Sequence, residues 1–167
     1  SFEHLKQAAE VRNEKRFNEF IHPKLGCYCI YRPASNLTFS RLEEFESDWF
    51  ILDLTMADLF QKIRLMEPKF ENWPANITCA DQGFSKNGEF VEKSGEYHEL
   101  TEIFKSNEPM YGKNYITEKE QDKIKKIEES LNFKLISTEQ LITLDFIYDD
   151  GKWYLGVINI SKFDCEA

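Results

Sequence analysis

The chain has 167 residues, of which 41% are apolar and 31% are charged, so it can bury a core as one domain over residues 1–167. Its formal charge of −9 opposes binding to nucleic-acid phosphates and to anionic membrane surfaces. No apolar run approaches the roughly 20 residues of a membrane-spanning helix, and the run Trp49 to Leu52 is interpreted as a core element.

The N-terminal segment is predicted to be an amphipathic helix that ends near Ile21. Its apolar residues recur every three to four positions between charged residues, with a break near Asn13. His22 follows and precedes Pro23, and a residue before proline disfavours the helical conformation. The run Cys27–Tyr31 is β-branched, aromatic or cysteine throughout, which predicts a covered strand.

Capping boxes predict three further helices. In this pattern a Ser or Thr side chain accepts a hydrogen bond from the backbone three residues on, and an acidic side chain there bonds back. The boxes begin at Ser40, Thr55 and Thr117, and they predict helices over residues 40–47, 56–66 and 118–131. A shorter helix is expected over residues 97–105, ended by Asn107 and Pro109.

The C-terminal part is predicted to form strands. Segments 133–136, 141–148 and 153–160 are rich in β-branched and aromatic residues, and the short connection at 149–152 favours an antiparallel hairpin. One phase of the hairpin is apolar, whereas the other carries Thr143 and Asp145. We therefore expect one core face and one face that is wetter or lines a site. The fold class is α+β, with amphipathic helices packed on a curved antiparallel sheet.

Signals for metals, cofactors and catalysis are weak. The three histidines are far apart in sequence, no glycine-rich phosphate loop follows a strand, and no nucleophile elbow occurs. We predict no metal, no cofactor and no catalytic residue, so an enzyme is the less favoured class. His22 is the best single candidate for proton transfer, because a helix end favours its cation; the alternative is a helix-terminating surface or capping residue. The acidic residues are interpreted as a solvated helical face rather than a cation site: Glu43, Glu44, Glu46 and Asp48.

The four cysteines leave the redox state open. Cys27 and Cys29 are predicted to face the same side of one strand, which makes a bridge between them difficult. Buried free thiols are favoured, and a bridge to Cys79 or Cys165 is the main alternative.

Two pairs of residues are candidate ligand contacts. Tyr31 and Arg32 end an aromatic strand, where an aromatic surface with a charge at its rim can hold a ligand. Asp145 and Trp153 belong to the C-terminal hairpin, where an acid on the wetter face is either a functional base or solvent-facing. The competing interpretation for the aromatic residues is core packing.

Both ends of the chain resemble a known group of folds. The segment 20–23, the strand after it and the closing hairpin at 150–155 are similar to the nuclear-transport-factor-2-like and cystatin-like α+β group. In detail, segments 20–24, 31–33 and 163–165 resemble uncharacterised exported proteins of gut-type Bacteroidetes. The resemblance implies a curved sheet around a long helix and a cone-shaped pocket. Members of the group use that pocket for isomerisation, dehydration, ligand binding or dimerisation.

These observations predict a binding domain without evident catalysis, located in the periplasm or cell envelope, whose partner is a small molecule or an envelope protein. A chain that begins with Ser1 is compatible with a removed leader. One alternative is a small cofactor-independent isomerase or hydrolase with a sheet-lined pocket. Another is an acidic protein that neutralises a basic protein partner. A homodimer formed through the sheet is a further candidate assembly.

Overall fold

The computed structural model describes residues 2–68, 71–72, 87–94 and 98–161, with the backbone alone at 71–72. Helices and strands over these ranges form an α+β fold, as predicted. The helices are α1 (Phe2–Glu10), α2 (Glu14–Asn18), α3 (Met56–Leu65), α4 (Glu99–Tyr111) and α5 (Glu118–Ser130). The strands are β1 (Cys27–Tyr31), β2 (Thr38–Leu42), β3 (Phe50–Ile51), β4 (Leu54–Thr55), β5 (Glu71–Asn72), β6 (Glu89–Lys93), β7 (Leu131–Ser137), β8 (Ile142–Asp149) and β9 (Lys152–Asn159). None of the described helices is long and apolar enough to cross a membrane.

Seven strands form one sheet in the order β2-β1-β9-β8-β7-β6-β5, and β3 and β4 form a separate ribbon. The sheet is mixed rather than purely antiparallel, because β1 runs parallel to β9 and β5 runs parallel to β6. Parallel neighbours need a long crossover, and β1 and β9 come from opposite ends of the described chain. The N-terminal and C-terminal parts therefore share one sheet.

Helices cover both faces of this sheet. Cys27 and Cys29 of β1 face a core built with α1, α2 and α3, whereas Tyr28 and Ile30 face a second core built with α4 and α5. Successive side chains of a strand point to opposite faces, so a strand between two helical layers is apolar at every position. The predicted covered strand at Cys27–Tyr31 is confirmed.

Local capping signals place three of the helices. Asn13 breaks the N-terminal helix, as predicted, and its side chain accepts a hydrogen bond from the Arg16 backbone at 3.0 Å. The capping boxes at Thr55 and Thr117 are both formed, and α3 and α5 follow them directly. The predicted helices over residues 56–66 and 118–131 are confirmed within one residue of their ends, whereas the N-terminal helix ends at Asn18, three residues before the predicted end at Ile21.

The predicted helix over residues 40–47 is wrong. Thr38–Leu42 is strand β2, which pairs antiparallel with β1 over five consecutive residue pairs without a bulge. Pairing with Cys29 takes Ser40 into the sheet ladder, so its capping pattern is not used. Contacts with a strand distant in sequence outweigh a cap worth about 1 kcal/mol.

Helix α4 is longer than predicted, because it continues through Pro109 to Tyr111. Proline in a helix removes one backbone hydrogen bond, but packing of the preceding turns offsets this loss. Leu100, Ile103 and Phe104 are buried in the second core, and the Asn107 side chain donates to the Leu37 carbonyl at 2.8 Å.

The C-terminal hairpin β8–β9 is confirmed, with a two-residue loop at Asp150 and Gly151. Both residues have positive φ angles, 47° and 75°, as a type I′ turn requires. The register shifts once, so that Gly156 is an extra residue in β9. A Cβ atom on Gly156 would lie 2.7 Å from Leu131 Cδ2, which explains why glycine stands at this bulge.

The face of the hairpin expected to be more solvent-exposed is buried. Thr143 and Asp145 are 1% and 0% exposed, because this side of the sheet carries the second core. The interpretation of Trp49 to Leu52 as a core element also fails in part, since Phe50 is 69% exposed and Ile51 is buried. Phe50 and Ile51 form the short strand β3, in which alternate side chains point to opposite sides.

Candidate binding site

The four predicted ligand contacts do not form one site. β1 and β9 are in register at Tyr28 and Val157, with Tyr31 beyond one end of this pairing and Trp153 beyond the other. At about 3.3 Å per strand residue, Tyr31 and Trp153 stand roughly 20 Å apart. Asp145 lies between them, directly opposite Val157.

Tyr31 and Arg32 have structural partners. Tyr31 is half-buried and packs against the first core, and Arg32 Nη1 donates to the Ser35 carbonyl at 2.8 Å. The Arg32 side chain thereby closes the connection between β1 and β2. Its buried Nε has no hydrogen-bond partner within the described ranges.

Asp145 forms a buried ion pair with Lys134. The two residues are opposite each other on β8 and β7, and Lys134 Nζ lies 3.7 Å from Asp145 Oδ1. Lys134 is itself only 8% exposed. The solvent-facing alternative for Asp145 is therefore wrong. Asp145 does not line any of the three cavities described below, so nothing in the described geometry presents it to a ligand.

Trp153 belongs to an aromatic cluster at the turn end of the hairpin. Its ring centroid lies 5.0 Å from that of Phe133 and 4.7 Å from that of Tyr148, and Phe133 stacks on Phe146 at 4.8 Å. Edge and offset contacts of this kind stabilise aromatic clusters by about 0.5–1.5 kcal/mol per pair. The position of Trp153 is that of a packing residue.

His22 has hydrogen-bond partners at both ring nitrogens. Nδ1 lies 3.1 Å from the backbone nitrogens of Lys24 and Leu25, and Nε2 lies 3.0 Å from Asp149 Oδ2. Because backbone N–H groups can only donate, Nδ1 accepts and the proton is on Nε2, from which it is donated to Asp149. His22 is 6% exposed and links the end of α2 to the hairpin turn, which is a structural role rather than proton transfer to a substrate.

The described cysteines are free and buried. Burial raises the pKa of both thiols, to about 12 for Cys29, and for Cys27 the nearby Cys29 and Asp145 add to the effect of burial. Thiols of this kind are poor nucleophiles. Within the described part of the chain, no three His, Cys, Asp or Glu side chains are grouped to hold a metal ion. The predictions that concern Cys79 and Cys165 lie outside the described residues.

The surface cavities of the described part include three with volumes of about 230 Å³ or more. One of about 390 Å³ lies beside His22 and Tyr148, and one of about 680 Å³ lies at the acidic loop 43–48. That loop is not helical, although Glu43, Glu44, Glu46 and Asp48 are all exposed as predicted. The third cavity, of about 230 Å³, lies between the β1–β2 hairpin and helix α5, and we name it the Tyr28 pocket.

The Tyr28 pocket is apolar inside and polar at its rim. Tyr28, Thr38, Phe39 and Arg41 line it from the hairpin, and Tyr115, Ile116, Glu120 and Ile124 line it from α5 and the turn before it. The rings of Tyr28 and Phe39 meet edge to face at 5.8 Å. Ile124 is 1% exposed and belongs to the second core.

The Tyr28 phenol is the polar group inside this pocket. The residue is only 2% exposed, and no described side chain or backbone group forms a hydrogen bond with its hydroxyl. Burial raises the pKa of Tyr28 to about 12, with Arg41 lowering it and Glu120 and Glu128 raising it. At neutral pH the hydroxyl therefore keeps its proton and can donate it. The Tyr28 hydroxyl is not one of the buried, partnerless atoms of the described residues, so it reaches the open space of the cavity, where a ligand acceptor can take the place of water.

The rim of the pocket is held by its own hydrogen bonds. Arg41 donates to the Leu25 carbonyl at 3.2 Å and to Glu43 at 2.6 Å. Glu120 accepts from the Thr117 backbone and hydroxyl at 3.0 and 2.8 Å. A ligand would therefore meet a preorganised wall, which reduces the entropic cost of binding.

Sequence reasoning considered Tyr28 only as a neighbour of Tyr31 and missed the rest of the pocket. The reason is that β2 was predicted as helix, which removed Phe39 and Arg41 from the strand beside Tyr28. A usable signal was present, since the turn-forming segment Pro33–Asn36 separates β1 from the β-prone residues at Leu37–Phe39.

The chain was also compared with known proteins. Searches against family models, curated proteins and solved structures found no match, so the resemblance to the nuclear-transport-factor-2-like group stays a prediction and the case for the Tyr28 pocket is geometric.

Proposed function

We propose that this chain is a binding domain and that the Tyr28 pocket receives an apolar, ring-sized group that carries a hydrogen-bond acceptor. The observation that supports this proposal is the Tyr28 hydroxyl, which is unpaired among the described residues and opens on an apolar cavity. A bound acceptor such as a carbonyl oxygen would satisfy it, at a gain of about 0.5–1.5 kcal/mol.

The dimensions of the pocket restrict the ligand group. A volume of about 230 Å³ lies below the roughly 300–1,000 Å³ of pockets that hold drug-sized molecules. One ring or one branched side chain fits this space. The aromatic and aliphatic walls of Tyr28, Phe39 and Ile124 favour an uncharged group.

The enzymatic alternative lacks comparable support. It requires an acid or a base that is free to act on a ligand. Glu120 in the Tyr28 pocket is held by Thr117. His22 beside another cavity has partners at both nitrogens, and Asp145 is paired with Lys134. Binding without catalysis is the function that the described geometry supports best. The location in the periplasm or cell envelope stays a prediction.

Nuclear magnetic resonance of the intact chain tests this function with two small probes. Benzamide presents a ring and a carbonyl acceptor, whereas toluene presents the ring alone. We expect both to shift the backbone signals of Tyr28, Phe39 and Ile116. Tyr28→Phe should weaken benzamide about three- to tenfold, the worth of one neutral hydrogen bond, and leave toluene unchanged.

A matched control is available outside the pocket. Tyr148→Phe removes a hydroxyl from a tyrosine that is 51% exposed and does not line the pocket, so it should leave the binding of both probes unchanged. Ile116→Trp should block both by filling the cavity. Probe-induced shifts confined to other surfaces, or equal benzamide affinity in the Tyr28→Phe variant, would contradict the proposal.

A further inference from the structure

Strand β2 is an edge strand whose outer side carries the backbone groups of Phe39 and Arg41. Among the described residues, β2 is the last strand of the sheet on its side. The Ile30 carbonyl accepts from Ile160 on the β9 side, so Cys29, the next residue of β1, turns its backbone toward β2 and its partner Ser40. In an antiparallel pair the hydrogen-bonding direction alternates along each strand. The N–H and C=O groups of Phe39 and Arg41 consequently point outward.

Beyond Leu37, no described residue forms a backbone hydrogen bond with the outer side of β2. Asn107 of α4 binds the Leu37 carbonyl. Exposed edges are usually protected by proline, by lysine, by a bulge or by being very short. β2 has five residues, no proline and no bulge, and its one charged side chain, Arg41, is held by the Leu25 carbonyl and Glu43. The opposite edge strand β5, by contrast, has two residues.

The open edge and the Tyr28 pocket lie on the same side of the sheet. Phe39 and Arg41 are opposite Ile30 and Tyr28, whose side chains face α4 and α5. A strand added beside β2 would place every second side chain on this same face, next to Phe39 and Arg41. One of these side chains is then directed into the pocket that Phe39 and Arg41 border.

The charge around this edge favours a basic partner. The chain continues from β2 into an exposed acidic loop, in which Glu43 is paired with Arg41 and Glu44, Glu46 and Asp48 add negative charge; the whole chain has a formal charge of −9. A second copy of the chain would bring the same negative charge and the same acidic loop, so charge opposes self-pairing at this edge. Lys or Arg residues beside an added strand would be attracted instead.

We propose that the partner is a basic peptide segment that adds to β2 as an extra strand and inserts one aromatic or branched side chain into the Tyr28 pocket. This inference rests on the proposed function, because it names the molecule that supplies the ring-sized group. Backbone hydrogen bonds to Phe39 and Arg41 give affinity, and the pocket gives selectivity for one side chain, as in other cases of β-strand addition. A tyrosine as the inserted side chain would also supply its own hydroxyl oxygen as an acceptor for the Tyr28 hydroxyl.

The test uses the intact chain and a short peptide of alternating Thr and Val with a central Phe and a pair of Lys residues at each end. Fluorescence anisotropy measures affinity, and amide hydrogen exchange reports the site. The peptide should protect the amide protons of Phe39 and Arg41 from exchange. An otherwise identical peptide with Glu pairs at its ends should bind about tenfold more weakly, and only the Lys form should weaken as salt rises.

A pair of substitutions at one position separates the backbone from the side chain. Arg41→Ala removes the guanidinium and keeps the outward N–H, whereas Arg41→Pro removes both. Proline is tolerated at edge positions whose N–H faces outward, so both variants should fold. We expect Arg41→Pro to bind the Lys peptide about five- to tenfold more weakly than Arg41→Ala does.

The outcomes distinguish this inference from the proposed function. If benzamide shifts the pocket signals but the peptide protects neither Phe39 nor Arg41, strand addition is wrong and the pocket function stands. If neither probe nor peptide affects these residues, both proposals fail. Equal affinity in the two Arg41 variants, or a concentration-dependent dimer that Arg41→Pro abolishes, would also overturn the inference, the latter in favour of a second copy.

Discussion

The two β-hairpins that border the parallel junction of the sheet differ in what covers them. β8–β9 lies in the middle of the sheet, with neighbours on both sides, a type I′ turn and a bulge at Gly156. β1–β2 ends the described part of the sheet, has a six-residue connection, and leaves the outer side of β2 without a neighbouring strand among the described residues. The central hairpin completes the core, whereas the edge hairpin borders the binding pocket.

Because of this difference, the edge hairpin has backbone groups and a pocket that a ligand can reach, whereas the central hairpin does not. A backbone group inside the sheet is already paired, and the side chains of β8 are buried up to Ile147. A backbone group at the edge of β2 is available, and the pocket beside it is formed by half-buried residues of the same strand. Substitutions in the central hairpin should therefore cost more unfolding free energy than substitutions at the outer side of β2.

The largest effect is expected at the buried ion pair of the central hairpin. Asp145→Ala leaves the Lys134 ammonium buried without this carboxylate, which should cost about 3–5 kcal/mol of unfolding free energy in a urea titration. Asp122→Ala is the control, since Asp122 is an exposed aspartate of helix α5. Equal losses of unfolding free energy in the two variants would show that the buried ion pair with Lys134 does not cause the effect of Asp145→Ala.

Proline substitution should separate the central strand from the edge strand. Thr143 pairs with Ile136 on one side and with Asn159 on the other, so Thr143→Pro breaks a ladder and should cost about 3 kcal/mol relative to Thr143→Ala. Arg41→Pro should cost less than about 1 kcal/mol relative to Arg41→Ala, because the N–H it removes points outward. Chemical denaturation of the four variants measures both differences. A large loss in Arg41→Pro would mean that the outer side of β2 is covered.

A smaller effect is expected at the bulge of the central hairpin. Gly156→Ala places a Cβ atom against Leu131 and Ile147, which should cost about 1–3 kcal/mol through overpacking. The double variant Gly156→Ala with Leu131→Ala removes the nearest atom. Its total loss of stability, measured by thermal unfolding, should be smaller than the sum of the two single losses. Strict additivity would contradict the packing explanation.

The smallest effect near neutral pH concerns the thiols of the edge hairpin. The pKa of Cys29 is raised from 9 to about 12 by burial, so the folded chain keeps a proton that the unfolded chain releases. The unfolded state then binds fewer protons, and stability should fall as pH rises from about 9 toward 12, with no effect at neutral pH. Urea midpoints over this range should fall less steeply in Cys29→Ala than in the unsubstituted chain. Parallel pH profiles would show that Cys29 does not contribute.

Much of the fold was predictable from short segments. Thr55 with Asp58 and Thr117 with Glu120 each place an oxygen and a carboxylate where a helix begins, and both helices form there. The apolar alternation and the Asp-Gly turn were sufficient for β8–β9. The site was less predictable, because Tyr31, Arg32, Asp145 and Trp153 prove to have packing, hydrogen-bond or ion-pair partners, whereas Phe39 and Arg41 lie on a strand that local signals did not indicate.

By itself the sequence determined the features whose energies depend on residues within one turn of each other. These are the helix starts at Thr55 and Thr117, the break at Asn13 and the turn at Asp150-Gly151. Tertiary structure alone decided that β1 lies beside β9, that β2 is a strand at the edge, and that Asp145 is buried. The reason is that pairing across the sheet and burial between two helical layers depend on residues that are distant along the chain, and these interactions outweigh a local preference of about 1 kcal/mol.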